Sequence, residues 1–139
     1  MYEALAAIGS VMLDPYLLML IFVTTIGGIV IGVLPGLGAT TGAALLLPFT
    51  LTMSPVHAIA VLATLYVSAT FAGSITAILI NTPGTSAAAA TTFDGFPLAQ
   101  RGEAGRALGI AVVASTIGGI FSIIVLCFAA PMLARVAYE

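Results

Sequence analysis

The sequence predicts an all-α integral membrane protein, with about three transmembrane helices plus re-entrant or broken helical segments at two Pro-Gly motifs. Three observations predict it. Hydrophobic residues make up 61% of the chain and charged residues only 6%, whereas an ordinary soluble domain is about one quarter charged. No Asp, Glu, Lys or Arg occurs from Pro15 through Phe93. Lipid tolerates such a run, because a charge at mid-bilayer costs ~2.5–3.5 kcal/mol even on the insertion scale. Finally, two Pro-Gly pairs, Pro35-Gly36 and Pro83-Gly84, interrupt apolar sequence of membrane length.

The first apolar segment, Tyr16 to Leu34, is long enough to cross a core of ~30 Å as a helix. Asp14 is placed to cap it and Pro15 suits its first turn. The run Leu34-Pro35-Gly36-Leu37-Gly38-Ala39-Thr40-Thr41-Gly42 should break it, because Pro removes a donor and Gly loosens the backbone. The following stretch, Ala43 to Thr50, is too short to span and reads as a re-entrant arm or half-helix, closed by Pro48 and the turn Ser54-Pro55. Val56 to Ile80 is a full span with room for tilt, and it stops at Asn81-Thr82-Pro83-Gly84-Thr85. A small-residue tract, Ser86 to Thr92, leads to Phe93-Asp94-Gly95-Phe96-Pro97. Gln100, Arg101, Glu103 and Arg106 then form the one hydrophilic connection. The last apolar segment, Leu108 to Met132, is interrupted by Gly118-Gly119 and expected to end near Pro131.

Small residues recur at four-residue spacing: Gly28/Gly32, Gly38/Gly42, Ala69/Gly73, Gly105/Gly109 and Ser115/Gly119. Such pairs let membrane helices approach closely, which favours a packed polytopic bundle. Arg101 and Arg106 make the 94–107 connection the cytoplasmic candidate. With 35–50 re-entrant, the N-terminus would lie on that same side, and Arg135 opposes this only slightly. Glu3 and Asp14, with no base before the first apolar run, do not form a secretory signal pattern, so that segment reads as retained.

Composition also excludes function classes. A net charge of −2 gives no basic patch for nucleic acid. The single Cys127 permits no internal disulfide and no metal site, and reads as a small packed side chain. The glycines at 32–42 lack the Gly-Lys-Ser/Thr of a phosphate loop. Gly73-Ser74 with the one His57 lacks the matched base and oxyanion site of a serine hydrolase. No catalytic residue and no cofactor is expected.

The two breaks are where chemistry is expected. A helix broken at bilayer depth exposes backbone groups that lipid cannot satisfy. Discontinuous helices of this kind mark substrate sites in secondary transporters, their half-helix N-termini carrying about +0.5 charge toward an anion. Pro35, Gly36, Gly38, Ala39, Thr40 and Thr41 at the first break, and Asn81, Thr82, Pro83, Gly84, Thr85 and Ser86 at the second, are the candidate substrate-binding residues. Thr91 and Thr92 add further hydroxyls. The alternative is that both breaks are kinks or tight turns. No Arg or Lys lies in the apolar core, so anion binding there would use backbone N–H groups and hydroxyls. Asn81 is the side chain favoured within the second break; a helix cap is its other reading, and the two roles are compatible. Asn81 and Asp94 are candidate cation-coupling residues, with a turn Asp as the plainer reading of Asp94. Arg101 and Arg106 read as solvated topology charges, and His57 as an interfacial residue rather than a proton relay.

The run Gly32 to Gly42 resembles the first signature of the large membrane subunit of the tripartite tricarboxylate transporters, the TctA family. So does the longer run from Gly73 through Thr85, Thr91-Thr92-Phe93-Asp94-Gly95-Phe96-Pro97-Leu98-Ala99, to Gly105-Arg106-Ala107-Leu108-Gly109. The resemblance implies a multi-pass secondary transporter of the bacterial inner membrane that takes up small carboxylates such as citrate, driven by a Na⁺ or H⁺ gradient. It also implies two partners, a small TctB-like membrane subunit and a periplasmic TctC-like substrate-binding protein. A delivered di- or tricarboxylate would meet the tips at 35–41 and 83–92 beside a co-bound cation. Family members are several times longer, with a second half carrying its own Pro-Gly segment. Residues 1–139 are therefore expected to be the N-terminal part of a TctA-like transporter domain. The alternative is a non-transporting membrane assembly fragment that needs a partner or the missing half.

Overall fold

The structure is a computed structural model that describes Gly9 and residues 13–137. Glu3, cited above for its charge, lies outside the described residues. Helix α1 spans Pro15–Val33, α2 Ala39–Thr50, α3 Pro55–Ile80, α4 Ala89–Leu98 and α5 Ala104–Ala137; a wide turn of π type, Ala99–Glu103, joins the last two. No strand occurs among the described residues. Three helical stretches are long and apolar enough to cross a membrane: Pro15–Val33, Pro55–Ile80 and Ala89–Ala130, the last running through the wide turn.

Proline and capping chemistry set the helix boundaries. Asp14, Leu34 and Ser54 each precede a proline and are extended, at ψ 110°, 114° and 151°, because the proline ring disfavours helical backbone before it. Asp14 Oδ1 accepts from the Tyr16 N–H at 2.9 Å, and Ser54 Oγ from the His57 N–H at 3.5 Å, so both spans start on a side-chain cap. Leu34-Pro35-Gly36-Leu37 is a turn closed by the Leu37 N–H on the Leu34 carbonyl at 3.1 Å, with Gly36 at φ 91°. Proline then glycine at positive φ is the pattern of a type II turn. At the second break Asn81 takes the left-handed conformation, φ 56°, and ends α3.

Helices α1 and α3 run parallel. Asp14 Oδ2 lies 3.2 Å from His57 Nε2 at their N-terminal ends. Further along, a Cβ added at Gly32 would lie 2.7 Å from Ala69 Cα. The contact face of α1 is Leu17, Thr24, Gly28 and Gly32, all buried, while Met19, Phe22, Val23 and Val30 face outward. Small residues inside and large apolar ones outside is the pattern of a helix packed in lipid, where close backbone approach rather than a greasy core holds helices together. Leu65, Ala69, Ala72, Ala77 and Ile78 of α3 form the centre. The buried hydroxyls of Ser68 and Thr76 are satisfied by carbonyls of their own helix.

The two breaks meet beside the middle of α3. Helix α1 ends near Ala69, while α3 runs on for ~16 Å at 1.5 Å per residue. Beyond Asn81 the chain folds back along α3 until the Gly84 N–H bonds the Gly73 carbonyl at 3.3 Å. That return covers ~10 Å of helix length. Helix α4 then climbs again, and a Cβ at Gly95 would lie 2.8 Å from Ile78 Cγ1. The glycines make the junction possible: a Cβ at Gly84 would lie 2.7 Å from the Gly32 carbonyl oxygen and 2.8 Å from Gly73 Cα.

Several expectations are corrected. Segment 35–50 does not leave the N-terminus beside the 94–107 connection. Helix α2 brings the chain back toward the start of α1, so Asp14 and His57 lie at the end of the bundle opposite Arg101 and Arg106. Pro48 does not close α2, which continues to Thr50, and Pro131 does not end α5, which continues to Ala137. Neighbouring helix turns hold both despite the lost donor. The 94–107 connection is almost wholly helical, with its reversal confined to Gly102 at φ 83°, and Asp94 sits within α4 rather than in a turn. Cys127 is exposed rather than packed. Of the small-residue pairs, Gly28/Gly32 and Ala69/Gly73 pack closely, whereas Gly105, Gly109 and Gly119 have nothing within 4 Å of an added Cβ.

Candidate functional site

Helix α2 begins at Gly38, whose backbone is extended (φ −76°, ψ 172°) and whose lack of a side chain leaves the helix without a side-chain cap. The first N–H groups of a helix have no intrahelical acceptor, and they concentrate about +0.5 charge at that end. Gly42 N–H reaches the Gly38 carbonyl at 3.1 Å, which leaves the N–H groups of Ala39, Thr40 and Thr41 as the orphan donors. Ala39 is buried at 6% exposure, and Thr40 is exposed.

Opposite this terminus sits the second break. The Thr85–Ala88 turn is closed by the Ala88 N–H on Thr85, at 3.1 Å to the carbonyl and 3.3 Å to Oγ1. The Ala89 N–H bonds the Ser86 carbonyl at 3.2 Å. Helix α4 follows, and it too has no side-chain cap. Gly38, Ala39 and Thr40 from the first break and Gly84, Thr85, Ser86 and Ala87 from the second line one cleft of about 250 Å³, with Tyr66 and Thr70 of α3 as its wall. One uncapped helix start and several hydroxyls thus surround a space in which no charged side chain takes part. Donors of this kind suit an anion, in the way helix N-termini hold phosphates and carboxylates.

Six of the candidate substrate residues are brought together: Gly38, Ala39, Thr40, Gly84, Thr85 and Ser86. The others are not on the cleft. Pro35 and Gly36 form the exposed turn before it, Thr41 faces away, and Asn81, Thr82 and Pro83 form the descent into it. Asn81 is exposed, and its backbone N–H bonds the Thr76 carbonyl as the helix cap. Asp94 lies off this cleft, in a neighbouring one of about 310 Å³ between α3, α4 and α5. Tyr66 and Thr70 went unnoticed in the sequence. Their signal was a polar pair spaced one helical turn apart inside an apolar span.

His57 lies at the far end of the bundle. Its Nε2 meets Asp14 and its Nδ1 meets Ser54 Oγ, so one imidazole links the caps of α1 and α3. Ser74 is ~26 Å further along α3 at 1.5 Å per residue. Among the described residues, no group of three or more His, Cys, Asp or Glu side chains comes together.

Residues 18–139 match the model of the tripartite tricarboxylate transporter TctA family. The chain belongs to the TctA family. It is 45% identical over 127 residues to an uncharacterized 52.8 kDa protein in the TAR-I ttuC' 3' region of Agrobacterium vitis. That match covers 91% of this chain and 25% of the relative, so the chain spans about a quarter of the relative's length. No solved structure matches. Membership of the TctA family, with three membrane-length helices, makes this a multi-pass membrane protein.

Proposed function

We propose that the chain forms part of the substrate cradle of a cation-coupled carboxylate uptake system in the bacterial inner membrane, with tricarboxylates such as citrate as the substrate class. The single observation that supports this reading is the convergence of both Pro-Gly breaks on one cleft. A carboxylate entering it meets the N–H groups at the start of α2 and the hydroxyls of Thr40, Thr85 and Ser86. No fixed cation competes there for the substrate charge, so release stays possible. A co-bound Na⁺ or a proton, with Asp94 and Asn81 as the candidate carriers, offsets the remaining negative charge. The family name describes a three-component system, and in this reading the partners are a small TctB-like membrane subunit and a periplasmic TctC-like protein that delivers the solute. Access alternates as one set of helices moves against another around the cleft.

The test is substrate affinity in the intact transporter carrying Thr40→Ala, Thr85→Ala or Ser86→Ala. A hydrogen bond to a charged group is worth ~1.5–3 kcal/mol, so each loss should weaken apparent citrate affinity about ten-fold or more. Unchanged affinity in all three variants would remove the cradle. A second reading, a membrane segment that transports nothing by itself, draws support from the quarter-length coverage of the relative. Citrate uptake by liposomes holding this chain alone, compared with liposomes holding the whole transporter, separates the two.

A further inference from the structure

The cleft at the Pro-Gly junction does not end at Thr70. Tyr66, Thr70 and Ala87 also border a second cavity of about 440 Å³, which reaches Ser74, Thr91 and Ser115. Ser74, Thr91 and Ser115 in turn border the 310 Å³ cleft that contains Asp94. Shared lining residues therefore join three spaces into one groove. Tyr66, Thr70 and Ser74 are spaced one helical turn apart, a single stripe on α3 covering ~12 Å.

Two features mark Ser74, Thr91 and Ser115, the residues shared by the last two spaces. Ser68, Thr70, Thr76, Thr92 and Thr116 each donate to a carbonyl of their own helix, at 2.7–3.1 Å. Among the described residues, the hydroxyls of Ser74, Thr91 and Ser115 make no such bond. Among the described residues, no buried side-chain oxygen or nitrogen is left without a partner either, so these unpaired groups are not sealed in the core and open onto the groove they line. A hydroxyl left unpaired in hydrocarbon costs several kcal/mol, and a watery groove removes that cost. The second feature is charge. Asp94 is the only charged residue on the lining, and Arg101 and Arg106 do not contribute to it. Carboxylate and hydroxyl oxygens suit a hard cation, and the carboxylate repels an anion.

We propose that this groove is a water-filled cation path, running from Asp94 past Thr91, Ser115 and Ser74 to the Pro-Gly cleft. The groove deepens the reading of that cleft as a solute site, which supplies its destination. Anion and cation then reach the junction from different directions, the cation along an oxygen-lined track with an acid at its mouth.

Thiol accessibility tests the path independently of transport. Native cysteines, Cys127 among them, are first replaced by serine, and Ser74→Cys, Ser115→Cys and the outward-facing Phe121→Cys are made singly in the whole protein in bacterial membranes. Water-soluble cationic and anionic methanethiosulfonates are the probes, since only a hydrated, ionising thiol reacts. Ser74→Cys and Ser115→Cys should react about ten-fold or more faster than Phe121→Cys. They should also favour the cationic reagent beyond its preference for a free thiol in solution, and adding Asp94→Asn should abolish that excess. Rates no greater than at Phe121→Cys would overturn the wet groove. An anionic preference, or an excess untouched by Asp94→Asn, would overturn the cation path. None of these outcomes depends on citrate affinity, so the cradle and the path fail separately.

Discussion

Replacing Gly84 with alanine isolates the junction that brings the two breaks together. The new Cβ would lie 2.7 Å from the Gly32 carbonyl oxygen and 2.8 Å from Gly73 Cα. Both atoms are backbone in packed helices, so neither can rotate away. Restoring ordinary contact requires the tip to retreat, or α1 and α3 to part, by ~0.6–0.7 Å. Overpacking of this kind costs ~1–3 kcal/mol. The displacement falls directly on the cleft, where a 1 Å misplacement costs roughly 100-fold. The variant should therefore lose several degrees of thermal stability and about ten-fold in substrate affinity. The matched control is Gly109→Ala, where an added Cβ meets nothing within 4 Å and removing a helical glycine gains ~0.5–1 kcal/mol. Fluorescence-monitored melting and citrate binding on the purified transporter read both quantities. Equal melting temperature and affinity in Gly84→Ala and Gly109→Ala would show that the tip does not sit against α1 and α3, and the shared cleft would lose its basis.

Two further outcomes follow from the caps. Asn81 holds φ 56°, a conformation glycine adopts freely and alanine resists at ~1–2 kcal/mol. If the backbone cap is its role, Asn81→Ala should lower stability and Asn81→Gly should restore it together with transport; loss of transport in both, with stability restored in the glycine variant, would assign the amide to solute or cation instead. At the opposite end, Asp14→Ala and His57→Ala each break the link between the caps of α1 and α3. Loss of the Asp14 cap should cost ~1 kcal/mol, and the double variant should cost less than the sum of the two, because the residues share one interaction. Strict additivity in thermal melts would show that the imidazole does not join the helices.

Much of the helical layout was legible because it depends on neighbours in sequence. Asp14-Pro15 and Ser54-Pro55 carry their own start signals, and Leu34 and Asn81 end their helices through Pro35 and through a left-handed cap. Length and charge alone distinguish α1 and α3 as spans. Prolines 48 and 131 misled because a proline's effect inside a helix depends on what packs around it, and that is not local information. Cys127 was expected to be buried from its residue type, yet it lies on a stretch of α5 exposed throughout in this structure.

The sequence alone determined that the chain is a membrane helical bundle with two glycine-proline interruptions rich in hydroxyls. Hydrophobic transfer and backbone dihedral preference act residue by residue, and both can be read in order along the chain. Only the tertiary structure decided that the interruptions face each other. Their meeting depends on α1 and α3 running parallel, on the chain returning from Asn81 to Gly73, and on three glycines, 32, 73 and 84, approaching through bare backbone. Tyr66 and Thr70 became part of the cleft for the same reason: the side of α3 they occupy matters only once the two tips are packed against it.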